Sequence, residues 1–125
     1  PPYAFYLGAS ASFIEMAKED AEGLVVVDGP SLTDIATPEG KELFDEFVSK
    51  YGPMKAWDYG FATTYEAFRA LSQALTQPDD PQHYLSVTKF DGLFGPFSFD
   101  ANGDITGLNL VLKRIDKGKP TVIRR

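Results

Sequence analysis

An α/β fold is what this sequence predicts, and three observations carry the prediction. The β-branched run Val25–Val27, set between Gly23 and the turn signal Asp28-Gly29-Pro30, is a buried strand too short for a helix. Thr37-Pro38-Glu39 and Asp80-Pro81 each place a capping oxygen ahead of a proline at the first helical position. Residues 96–125 alternate as strands do, with turn signals at ANGD and DKGK. The expected order is strand, helix, strand, three helices, then a terminal β-hairpin or meander.

In chain order, residues 3–7, YAFYL, form a short strand that ends at Gly8 and a turn of small residues. Ser12 caps a short helix through about Ala21. From Thr37 a helix carries Leu43, Phe44, Phe47, Val48 and Tyr51 on one face, and Gly52-Pro53 ends it. A loop follows with the single tryptophan, Trp57, and Asp58 caps the next helix. That helix, at 59–76, has the stripe Phe61, Tyr65, Phe68, Leu71 and Leu75. A third helix starts at Asp80-Pro81, turns Tyr84, Leu85 and Thr88 inward and stops near Phe90. In the closing β region Leu108, Leu110 and Leu112 alternate with Asn109, Val111 and Lys113, so the leucines are expected on the buried face.

Composition narrows the function. A length of 125 residues suits one domain able to bury about two-thirds of its unfolded surface. With 18 acidic against 12 basic residues, the net charge of -6 excludes the clustered cations that a nucleic-acid partner requires. The absence of cysteine removes disulfides and thiolate metal sites and leaves the compartment open. The longest apolar runs fall far short of the roughly 18–20 residues of a membrane span, and the opening Pro1-Pro2-Tyr3 reads as a piece of a longer, processed or cut chain.

No motif carries catalysis. Asp100, Asn102 and Asp104 sit at the first, third and fifth places of a calcium loop. Ile105 and Val111 then stand where that loop needs glycine and glutamate, so DANGD reads as a turn. His83 is the only histidine, no serine lies in a nucleophile elbow, and the glycines build neither a phosphate loop nor a dinucleotide fingerprint. No cofactor or metal is expected. What stands out is aromatic density without catalytic groups: Tyr3, Phe5 and Tyr6 at one strand, and Tyr59, Phe61 and Tyr65 at one helix start. Such clusters suit an aromatic-lined site for a small molecule.

Taken in order, AEGLVVVDGP, TPEGKELFDEFVSKYG, YGFATTYEAFRALSQALTQ and FDGLFGPFSFDANGDITGLNLVLKRIDKGKPTVI resemble the C-terminal segment of a type I periplasmic solute-binding protein. The nearest kind is the branched-chain amino acid receptor group that serves ABC transporters. The resemblance implies a longer, two-lobed α/β receptor, periplasmic or extracellular in a bacterium, that closes around its ligand at a hinge and catalyses nothing. It implies that 1–22 ends the second-lobe region, that 23–95 holds a hinge strand and first-lobe helices, and that 96–125 crosses back to a second-lobe hairpin. It further implies that Phe5 and Tyr6 on one side, and Tyr59, Gly60 and Phe61 on the other, face the ligand, while Tyr65 and Phe68 lie deeper as core. The partners implied are an amino acid or an aromatic or aliphatic carboxylate, and the transporter's membrane subunits.

Receptors of this group place an acid near the first of these loops to pair with the ligand ammonium, yet residues 3–13 contain no Asp or Glu. Another segment therefore supplies the carboxylate, or the ligand is not an α-amino acid. A segment of this kind is also expected to self-associate through helix faces that have lost their cover. Alternatives are a stand-alone α+β interaction module, a ligand-sensing regulatory domain, and an acid-base enzyme using Asp58 or Glu66 beside Tyr59.

Overall fold

The structure, a computed structural model, describes residues 3–5, 9–54, 58–78 and 80–124, with backbone alone at 3–5, 34, 35, 58 and 124. The chain is mixed helix and sheet, as expected, and divides into two compact units. Unit 1 is Pro1–Pro30 with Asn109–Arg125, and unit 2 is Ser31–Leu108. The changeovers thus follow Pro30 and Leu108, whereas the lobe assignment read from the sequence changes after residues 22 and 95.

Unit 1 is a four-stranded sheet with one short helix. Strand β1 (Tyr3–Phe5) runs parallel to β2 (Val25–Asp28), and helix α1 (Ala11–Ala17) with a 3-10 turn at Lys18–Ala21 links them. Ser10, not Ser12, caps α1: its hydroxyl accepts the Phe13 N–H at 3.3 Å, so Ser12 already lies inside the helix. Strand β6 (Val111–Asp116) pairs antiparallel with β2, and β7 (Lys119–Arg124) pairs with β6. Ala21, Leu24, Val26 and Ile115 form the core, with Phe13, Ile14 and Ala17 packed against it. The turn between β6 and β7 holds Lys117 at φ 52° and Gly118 at φ 72°, the left-handed pair of a tight hairpin. The Glu22 carboxylate accepts both of their amides, at 2.9 and 2.6 Å.

The expected register of β6 is inverted. Val111, Lys113 and Ile115 are buried, while Leu110 is 47% exposed. The leucine alternation does not run through, because the strand breaks at residues 107–110. Gly107 stands at φ +95°, where a Cβ would lie 2.4 Å from the Pro96 carbonyl oxygen, so the chain turns there as only glycine can. Pairing restarts with Val111 opposite Asp28, in the other parity, and a one-residue slip turns over every side chain that follows. Lys113 can face inward because Asp28 meets it: Nζ donates to Oδ2 at 3.1 Å, and Oδ1 accepts the Gly29 amide at 2.8 Å.

Unit 2 opens with a single helical turn, α2 (Leu32–Ile35), that the sequence did not announce. Helices α3 (Pro38–Tyr51), α4 (Asp58–Leu75) and α5 (Pro81–Val87) follow, then an antiparallel sheet of β3 (Phe90–Gly92), β4 (Gly95–Phe99) and β5 (Ile105–Thr106). Thr37 caps α3 by accepting the Gly40 N–H at 3.2 Å, and Asp80 caps α5 by accepting the His83 N–H at 3.1 Å. Helix α5 ends at Val87, earlier than expected, and Phe90 already belongs to a strand. DANGD is a turn: Asp100 Oδ1 accepts the amides of Asn102 and Asp104 at 2.8 and 2.9 Å.

Two cores serve this unit. Leu32, Ala62 and Leu93 gather Leu43, Phe44 and Phe61 around them, and Ala70, Phe90 and Phe97 gather Tyr84, Leu85, Phe99 and Leu108. Phe90 stacks on Phe97 at 5.1 Å between ring centroids, and Phe99 meets both edge-on, so much of the aromatic content is core. Helix α4 leaves its large stripe uncovered in this chain, so Tyr65 and Phe68 are not core here. Tyr65 is 36%, Phe68 74%, Leu71 51% and Leu75 72% exposed, whereas Ala62, Glu66, Ala70 and Ala74 are buried. The buried set recurs every fourth residue and is alanine at every position but Glu66, and Leu93 of the turn joining β3 to β4 packs on Ala62.

Candidate ligand-binding site

Of the five positions expected to face a ligand, Tyr59, Gly60 and Phe61 are the second to fourth residues of α4 and belong to unit 2. All three are half-buried. Phe5 ends β1 in unit 1, where its backbone is in register with Val27, and its side chain lies outside the described part of the structure. Tyr6, like the capping side chain expected at Asp58, lies outside the described residues.

The first turn of α4 is tied down by hydroxyls. Thr63 Oγ1 donates to the Tyr59 carbonyl at 3.0 Å and Thr64 Oγ1 to the Gly60 carbonyl at 2.7 Å, the back-bonding that threonine offers to a helix carbonyl four residues earlier. Two aromatic contacts then set the rings. Tyr59 stacks against Phe94 with centroids 5.8 Å apart and planes at 30°. Phe61 meets Phe47 of α3 at 4.8 Å, and Phe47 in turn meets Tyr51 at 5.0 Å. Gly60 and Phe61, with Phe47, Met54, Tyr65 and Phe68, border an open apolar concavity on the outer side of α3 and α4. Without a side chain at Gly60 the helix backbone itself is part of that wall.

Chemically this arrangement can hold apolar or aromatic matter against rings and a backbone edge. Glu66, weighed above as an acid-base group, has both oxygens engaged: Oε1 accepts the Leu93 amide at 2.7 Å, and Oε2 accepts Arg69 Nε and Nη2 at 3.0 and 2.7 Å. Among the described residues no group of three or more His, Asp or Glu gathers as a metal site. No described helix is long and apolar enough to cross a membrane.

Phe47, Met54 and Phe94 were not singled out from the sequence. Phe47 sat in an ordinary apolar stripe, and Phe94 reaches the start of α4 from a segment 35 residues further on, a pairing that no local pattern encodes.

No model of a known protein family matches the chain. Over 103 residues, 79% of this chain, it is 34% identical to a Leu/Ile/Val-binding protein of Citrobacter freundii and 33% identical to the Leu/Ile/Val-binding protein of Escherichia coli K12. In each case the match covers 27% of the relative, so the chain spans about a quarter of the length of these proteins. Among solved structures, a leucine binding protein from Thermotoga maritima superposes with a TM-score of 0.76 over 96% of this chain and 36% of its own, at 23% identity.

Proposed function

We propose, from the premise that this chain is a segment of a type I solute-binding protein homologous to the branched-chain amino acid receptors, that it forms one part of an extracytoplasmic solute receptor. The observation that carries this reading is the identity of 34% over 103 residues with a Leu/Ile/Val-binding protein. The full receptor binds a small amino-acid-like or carboxylate ligand between two lobes and presents the closed form to the membrane subunits of an ABC transporter. Ligand contacts from both lobes lower the energy of the closed state, which is all that signalling by closure requires.

Within this segment Tyr59, Gly60 and Phe61 form one ligand-facing turn, and Phe5 and Tyr6 form another. The ring pair of Tyr59 with Phe94 and the side-chain-free backbone at Gly60 support the first assignment. They offer an apolar wall and close backbone approach, the usual lining of a small-molecule site. Because residues 3–13 carry no acid, an α-amino acid ligand draws its ammonium partner from outside that loop.

The test is calorimetric titration of the full natural protein with leucine, isoleucine, valine and benzoate. Tyr59→Ala is expected to weaken the ligand that binds by about 10- to 100-fold, the equivalent of losing a buried aromatic side chain. Unchanged affinity in Tyr59→Ala and Phe61→Ala would remove the start of α4 from the site.

A further inference from the structure

The turn of Leu93 and Phe94 between β3 and β4 carries the ring on which Tyr59 stacks; Leu93 itself packs on Leu32 and Ala62, but the turn is not packed on every side. An apolar cavity of about 120 Å³ adjoins it, bordered by Leu93, Phe94, Phe97 and Phe99 on one side and by Thr63 and Ala67 of α4 on the other. A displaced turn therefore has empty space to enter, since a void offers no opposing contacts.

Polar contacts hold the turn beside that packing. The Leu93 amide donates to Glu66 Oε1 at 2.7 Å, and the Leu93 carbonyl accepts from the Thr37 amide at 2.8 Å and the Thr37 hydroxyl at 3.1 Å. The cap of α3 and a mid-helix carboxylate of α4 thus grip one residue through both of its peptide groups. Glu66 is itself aimed by Arg69, whose Nη2 also donates to the Asp91 carbonyl. At 9% exposure Glu66 makes a charge-assisted bond with little competing water, and its loss would leave a buried amide without an acceptor.

We propose that Glu66 is a positioning residue of the ligand site: by accepting the Leu93 amide it fixes the turn between β3 and β4 and so holds Phe94 against Tyr59. This rests on the reading that the start of α4 faces the ligand. Glu66 touches no ligand itself. It acts through Leu93 and Phe94, and the aromatic wall it maintains favours flat or branched apolar groups over extended polar ones.

The experiment uses the full natural protein with selectively labelled Tyr59 and Phe94, and leucine as the probe. Glu66→Leu is expected to abolish the ring-to-ring nuclear Overhauser contact, to speed Leu93 amide exchange, and to raise the leucine Kd by about 10-fold, as loss of one buried hydrogen bond implies. Glu66→Gln, which keeps an acceptor at Oε1, is expected to retain the ring contact. In Phe94→Ala, adding Glu66→Leu should cost no further affinity, because both act on one wall. Persistence of the ring contact in Glu66→Leu overturns the proposal, as does full additivity of the two substitutions. If Glu66→Leu breaks the ring contact while Tyr59→Ala and Phe94→Ala leave leucine binding unchanged, the grip on the turn stands and the ligand-facing assignment fails. A wild-type protein that does not bind leucine leaves the ring contact and the exchange rate to decide.

Discussion

Unit 1 turns a lysine inward, and unit 2 turns a phenylalanine outward. Lys113 is 4% exposed at the centre of a strand whose neighbours are core, and Phe68 is 74% exposed on the longest helix of the chain. The difference teaches that burial follows what stands opposite a side chain before it follows the side chain's polarity. Lys113 goes in because the Asp28 carboxylate is waiting at 3.1 Å on the adjacent strand. Phe68 goes out because unit 2 covers the other side of α4, where Ala62 packs on Leu32 and Leu93, Glu66 bonds Leu93 and Ala70 packs on Phe90 and Phe97, leaving the large stripe exposed.

The largest expected effect tests the inward lysine. Lys113→Ala leaves the Asp28 carboxylate buried without its cation, and breaking such a pair costs about 3–5 kcal/mol. Replacing both partners together, Asp28→Asn with Lys113→Met, should restore part of that loss, since the unpaired charge is gone and the side-chain oxygen for the Gly29 amide is kept. Unfolding free energies from urea titration measure both. A cost below about 1 kcal/mol for Lys113→Ala would mean that water reaches the pair and that partner choice does not set the register of β6.

That register also marks the limit of what the residues alone disclose. The helix starts at Thr37 and Asp80 were legible because a cap is local: the oxygen, the proline and the amide it serves lie within three residues. The register of β6 was not, because it depends on a break at Gly107 and on Asp28, which lies 85 residues before Lys113. The same division holds at the candidate site. The aromatic start of α4 is written in YGF, whereas Phe94 and the grip of Glu66 on Leu93 come from a turn 27 residues beyond Glu66. For α4 the period of 3.6 was legible, and of its two stripes the small one is covered within this chain while the large one stands open, as expected of a helix face that has lost its cover.

The intermediate effect tests the small face of α4. Ala70 is 2% exposed between Phe90 and Phe97, so Ala70→Phe forces bulk into a filled site and is expected to cost about 1–3 kcal/mol. The opposite substitution on the large face, Phe68→Ala, should change stability of the 125-residue chain by about 0.5 kcal/mol or less. Equal costs at the two positions would erase the distinction between the faces.

The smallest effect on stability sharpens the comparison most, because it separates a face that is open from a face that awaits a cover. In the 125-residue chain Phe68→Ser with Leu75→Ser is expected to leave the unfolding free energy within about 0.5 kcal/mol per site, since both side chains already meet water. Light scattering of the same variant should show less self-association than the parent, because the two most exposed members of the stripe Tyr65, Phe68, Leu71 and Leu75 have become polar. The chain spans about a quarter of the length of its Leu/Ile/Val-binding relatives, and a protein of their length has ample material to lie over this stripe. If it does, Phe68→Ser in that protein costs about 2 kcal/mol or more, as a truncated core residue does. A cost that stays negligible there would make the outward phenylalanine a property of the longer protein too, and the stripe would then be surface that meets another molecule.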